Sequence, residues 1–173
     1  MKVTRFFIFA AMVGSMLAGC SKDKGDAKLK NAYTYDGKTT TIVWAGYYHA
    51  DGHGYYFGIA PKSPAGNLPN EADYFGVVFP ESKLGVKCNL SQNNSGTWIF
   101  DGLFKSNGID YSYGDNNFGV SGTDNWVKVT KNTGGEHNFT IEFEMTIGGK
   151  RLIGNYTGNF QKCNDSDIYW GLL

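Results

Sequence analysis

In the last third of the chain, Phe139, Ile141, Phe143, Met145 and Ile147 alternate without a break with Thr140, Glu142, Glu144 and Thr146. A period of two sends successive side chains to opposite faces of an extended backbone, so this run predicts a strand with one buried and one wet face. Gly148-Gly149 then offers a hairpin turn, and Leu152, Tyr156 and Phe160 recur on one face of a second long strand. Residues 126–131 supply a neighbour to this pair. Three consecutive strands of this kind predict an antiparallel meander.

Upstream the same punctuation continues. Tyr33 and Tyr35 precede Asp36-Gly37, and residues 40–49 read as one strand that turns at Ala50-Asp51-Gly52 into residues 54–60. A Pro-, Gly- and Asn-rich loop covers 61–70, and a nearly continuous apolar strand covers 73–80. Shorter strands are expected at 86–90 and 97–104, whereas the Gly- and Asn-rich stretch 106–119 predicts at most one short irregular strand. Residues 168–173, with Trp170, read as a final strand completing the sheet. About nine or ten strands without a helical pattern predict an all-β domain over residues 32–173, either an antiparallel β-sandwich or a closed β-barrel. Composition agrees, because 24 glycines, 16% aromatic and 18% charged residues suit short strands and tight turns better than helices.

The N-terminus follows a different logic. Lys2 and Arg5 precede an apolar run at 6–17, which matches the charged and hydrophobic regions of a secretory leader and is shorter than the roughly 20 apolar residues that span a bilayer. Leu17, Ala18, Gly19 and Cys20 follow, in the stretch SMLAGC. This resembles the lipobox of bacterial lipoproteins. The resemblance implies removal of residues 1–19, acylation of Cys20 and anchorage to the lipid bilayer through its chains, each buried methylene contributing about 0.8 kcal/mol. Residues 20–31 read as a lipidated start and flexible tether. Lys22, Asp23, Lys24 and Asp26 partly match the charged signal that sends lipoproteins of the Bacteroidota type to the outer face of the outer membrane. The stretches YFGVVFPESKLGVKCNL at 74–90 and GGKRLIGNYTG at 148–158 also resemble small all-β envelope lipoproteins of Bacteroidota, a likeness that brings no known activity.

Loss of Lys2 and Arg5 with the leader leaves 14 basic against 16 acidic residues, a net charge of −2 that argues against nucleic acid as a partner. With Cys20 lipidated, Cys88 and Cys163 remain, and an even pair in an exported protein predicts a disulfide.

Candidate chemistry is sparse. His49, Asp51 and His53 form H-A-D-G-H, a possible metal set with the distant His137, but Asp51-Gly52 is also what a hairpin requires, and the stretch reads as a solvated turn. Glu142 and Glu144 lie about 7 Å apart on one strand face, within the range of roughly 5 to 9.5 Å used by glycosidase carboxylate pairs. Alternation with threonines assigns them instead to the solvated face. Trp44, Tyr48, Tyr55, Tyr56 and Trp170 are the candidate ligand-binding aromatics, since half of an aromatic hairpin must face away from the core. No phosphate loop, nucleophile elbow or zinc-protease signature occurs, and neither catalytic residue nor cofactor is expected. The resulting expectation is a non-catalytic, membrane-anchored envelope module for a glycan or protein partner. Its rivals are a lipocalin-like barrel carrying an apolar small molecule and an envelope glycoside hydrolase using Glu142 and Glu144.

Overall fold

The computed structural model describes residues 29–52, 54–90, 101–114 and 120–168. Its strands are β1 (Ala32–Tyr35), β2 (Lys38–Thr41), β3 (Trp44–Ala50), β4 (Gly54–Ala60), β5 (Tyr74–Phe79), β6 (Lys87–Asn89), β7 (Asp101–Ser106), β8 (Ile109–Gly114), β9 (Val120–Lys131), β10 (Asn138–Ile147), β11 (Lys150–Asn159) and β12 (Gln161–Lys162). They form two six-stranded sheets, in the order β2-β1-β11-β10-β9-β6 and β12-β3-β4-β5-β7-β8. All pairs are antiparallel except β12 with β3. The two sheets share no strand, so the fold is a sandwich and not the closed barrel that the strand pattern left open.

The meander expected in the last third forms as β9-β10-β11, with Glu142 opposite Lys128 on one side and Asn155 on the other. The odd positions of β10 are buried and the even ones half-exposed along its whole length. Phe139, Ile141, Phe143, Met145 and Ile147 therefore build one side of the core, and Tyr55, Phe57, Phe75, Val77 and Phe79 build the other. Phe75 and Phe143 stack across the gap with ring centres 3.9 Å apart. Full burial of each such side chain is worth about 1.5–3 kcal/mol. Side chains fill the space between the sheets, which removes the lumen that a barrel carrier would need.

The second sheet is buried on both faces at its central strands β4 and β5, which alternation alone does not require. Every residue of β4 and β5 is buried. Gly46, Gly58 and Gly76 lie side by side across β3, β4 and β5, and this row of missing side chains opens a trough on the sheet's outer face. Leu68, Ile168 and Cys163 cover that face together with Tyr56, Ala60, Tyr74 and Val78 as a second apolar layer. The segment carrying Leu68 is pinned by Glu71, whose carboxylate meets Lys62 Nζ at 2.7 Å and accepts the Ala65 backbone N–H at 3.0 Å.

Four local expectations are corrected. The single strand at 40–49 is broken into β2 and β3, because Ile42 N–H donates to Asn31 O in one sheet while Val43 N–H donates to Ala60 O in the other. The stretch after Ser106 is a regular six-residue strand, β8, because the Asn107-Gly108 turn lets it fold back on β7. At the C-terminus Ile168 ends a helical turn, α1 (Asp165–Ile168), and does not begin a strand, while residues 169–173 of the expected strand lie outside the described residues; the turn's cap is local, with Asn164 N–H donating to Asp167 Oδ2 at 3.0 Å. Trp170 lies outside the described residues. The expected disulfide is absent: Cys88 and Cys163 are both free. Cys88 points into the core between the sheets, whereas Cys163 belongs to the outer layer, so the second sheet separates the thiols.

Candidate functional site

The aromatic hairpin does not present a platform. Tyr55 is buried in the core between the sheets, where it stacks on Phe57, and Tyr56 is buried in the outer layer. Tyr48 is half-buried against Tyr56, and Trp44 is half-buried with its Nε1–H donating to Gln161 Oε1 at 3.2 Å. The rings thus pack both faces of the second sheet.

His49 is brought beside its neighbour Asp51 and beside Glu81, which follows β5. Its Nδ1 is 3.8 Å from Asp51 Oδ1, its Nε2 is 3.4 Å from Glu81 Oε2, and its ring lies on Tyr55 with centres 4.4 Å apart. His53 falls outside the described residues, and His137 is engaged elsewhere, sharing a 2.6 Å hydrogen bond between its Nδ1 and Tyr47 Oη. Cys20 also lies outside the described residues. Glu142 and Glu144 stand half-buried on the outer face of the first sheet, where Glu142 lines a pocket of about 380 Å³ with Thr140, Asn155 and Thr157, and Arg151 Nη2 holds Glu144 at 2.8 Å.

A larger concave feature, of about 490 Å³, lies where three hairpin tips meet. Asp36 and Gly37 (φ 51° and 74°), Asn107 and Gly108 (φ 51° and 77°), and Gly148 and Gly149 (φ 58° and 75°) all occupy the left-handed region. Two such residues in succession make the tight turn whose twist matches paired strands, which is why Asp-Gly, Asn-Gly and Gly-Gly stand there. The tips lock together: Lys150 Nζ meets Asp36 Oδ2 at 2.5 Å, and Asn107 N–H donates to Asp73 Oδ1 at 2.8 Å. The Tyr111 ring packs over Gly148 so closely that a Cβ there would fall 2.5 Å from Cε1.

Between these tips runs a cleft of about 490 Å³. Tyr33, Tyr35, Lys38 and Thr40 line it from the β1-β2 hairpin, and Ser106, Ile109 and Tyr111 line it from β7 and β8, with Asp73 and Pro61 at its side. Burial, and after it the charge of Asp73, pushes the Tyr33 phenol up to about 12, against the smaller opposing effect of the Thr40 hydroxyl. Burial and the Tyr111 hydroxyl raise Tyr35 further, and its hydroxyl donates to Ile147 O at 3.3 Å. Both phenols stay protonated at neutral pH. The cleft combines the half-buried Tyr111 ring with hydroxyls, an amide and two carboxylates, a donor and acceptor set suited to a polyhydroxylated ligand.

No family model, curated protein or solved structure matches this chain.

Of the aromatics singled out from the sequence, Trp44, Tyr48, Tyr55 and Tyr56 do not line this cleft, and Trp170 lies outside the described residues. The signal that marks the cleft is the set of three left-handed dipeptide turns: Asp36 and Asn107 of two of them line it, as does Lys150, which follows the third.

Proposed function

We propose that the protein is a non-catalytic binding module of the cell envelope, anchored to the outer membrane through acylated Cys20, and that it takes a glycan in the cleft between the β1-β2 and β7-β8 hairpins. One observation carries the ligand reading: the cleft sets the half-buried Tyr111 ring, with the buried tyrosines Tyr33 and Tyr35 behind it in the lining, beside Thr40, Ser106, Asn107 and Asp73. Sugar rings offer apolar C–H faces to aromatic side chains and hydroxyls to polar ones, and this lining serves both. The lipobox supports the address.

Titration of the chain from Cys20 onward with a panel of soluble oligosaccharides tests the ligand half by calorimetry. At least one is expected to bind, with affinity lost in Tyr111→Ala and kept in His49→Ala at the other end of the sandwich. A panel without binding, or equal loss in both variants, overturns it. For the anchor, Cys20→Ala is expected to move the protein from the membrane to the soluble fraction of its host, and an unchanged partition refutes it.

A further inference from the structure

The charges around the cleft are not all matched. Lys150 is paired with Asp36. Asp73 accepts the Asn107 N–H, and the Lys62 ammonium feels its charge from outside the cleft. Lys38 is different: its ammonium makes no hydrogen bond or ion pair with a described residue. It stands directly across the β1-β2 ladder from Tyr35, as Thr40 does from Tyr33. Cross-strand partners share a face of the ribbon, so the Lys38 stem rises from the same wall as the two phenols.

Building on the reading of the cleft as a glycan site, we propose that its ligand is an anionic sugar, carrying a carboxylate or a sulfate, and that Lys38 recognises the anion. The ammonium presents up to three N–H donors on a flexible stem, and a charged donor makes a hydrogen bond roughly twice as strong as a neutral one. Asp73 sits on the wall contributed by the other sheet, where its second oxygen can accept a sugar hydroxyl. The cleft is therefore polarised, with a cationic end at β2 and an acceptor end at Asp73. That polarity orients a sugar whose acidic group lies on one side of the ring.

The test uses three probes against the chain from Cys20 onward: a hexuronate oligosaccharide, a sulfated hexose oligosaccharide and the neutral hexose parent. An anionic probe is expected to bind about tenfold more tightly than the neutral one at low salt. That ratio shrinks as ionic strength rises from about 0.01 to about 0.15 M, because the screening length falls from about 30 to about 8 Å. Lys38→Gln is expected to bring the ratio close to one, and Lys38→Arg to retain most of it. Preference for one anionic probe over the other separates carboxylate from sulfate recognition. Equal binding of neutral and anionic probes, or a preference that survives Lys38→Gln, overturns the anionic assignment and leaves the glycan reading standing. Absence of binding by all three, together with a silent wider panel, overturns both. Thermal unfolding of the variants checks that the exposed β2 position has not disturbed the fold.

Discussion

Leu68 occupies the space in which a side chain at position 58 would stand: a Cβ built on Gly58 overlaps Leu68 Cδ2. The residue from the loop and the glycine from the strand are two halves of one contact, and the outer apolar layer rests on it. Gly58→Ala must displace the Leu68 side chain, and overpacking of this kind costs about 1–3 kcal/mol. Leu68→Ala leaves a cavity instead, costing about 2–5 kcal/mol. Because the second change makes room for the first, the double variant is expected to lose less than the sum of the two. Urea denaturation of the set measures this, and strict additivity would argue that the two side chains do not meet.

The Lys62–Glu71 pair that pins this segment predicts a stability plateau with two edges. Lys62, through its hydrogen bond and charge, and the Ala65 N–H hold the Glu71 carboxyl below its ordinary value. Glu71 in turn raises Lys62. A depressed acid contributes fully above its unfolded value of about 4.3, and a raised base contributes fully below about 10.4. The contribution is lost as pH falls through the folded value of Glu71 or rises through that of Lys62. Glu71→Gln is therefore expected to lower the thermal midpoint at pH 7 and to flatten its fall on the acid side. An unchanged pH profile in the variant would refute the role.

The tyrosines lining the cleft predict an alkaline limit. The Tyr33 phenol is raised to about 12, and that of Tyr35 is raised as well. For a raised group the stabilising term is intact below the unfolded value, about 10 for tyrosine, and disappears as pH climbs through the folded one. Phenolate absorbance is expected to show at least two tyrosines titrating late and together with unfolding, one of them lost in Tyr33→Phe. Titration of every tyrosine near pH 10, with the fold intact, would exclude burial of these phenols.

The separation of Cys88 from Cys163 by a sheet makes a chemical prediction. Burial raises both thiols, so alkylation of the native protein is expected to be slow and to become complete on unfolding. Stability should be the same with and without reductant, and peptide mapping after secretion should find no bridge between the two. A Cys88–Cys163 crosslinked peptide would contradict the arrangement of the two apolar layers.

Period and turn chemistry determined a large share of this protein before any tertiary contact was considered. The unbroken alternation in β10 specified which face is buried, and Gly148-Gly149 specified the return of β11, because both are properties of a few consecutive residues. Other features depended on what lies opposite. A strand with aromatics on both faces, such as Gly54–Ala60, reads as half-exposed until a second layer is laid over it; Leu68 and Ile168 decide that Tyr56 is buried. The break at Ile42 and Val43 is invisible in hydropathy, since two adjacent backbone groups simply choose partners in different sheets. The same holds for the thiols, whose number suggested pairing while the intervening sheet forbade it. The cleft, too, exists only because three hairpin tips, of which the sequence left the Asn107-Gly108 one unread, were brought to one place by the packing of the two sheets. Local sequence sets the direction of each side chain, and burial is decided by what the fold places in front of it.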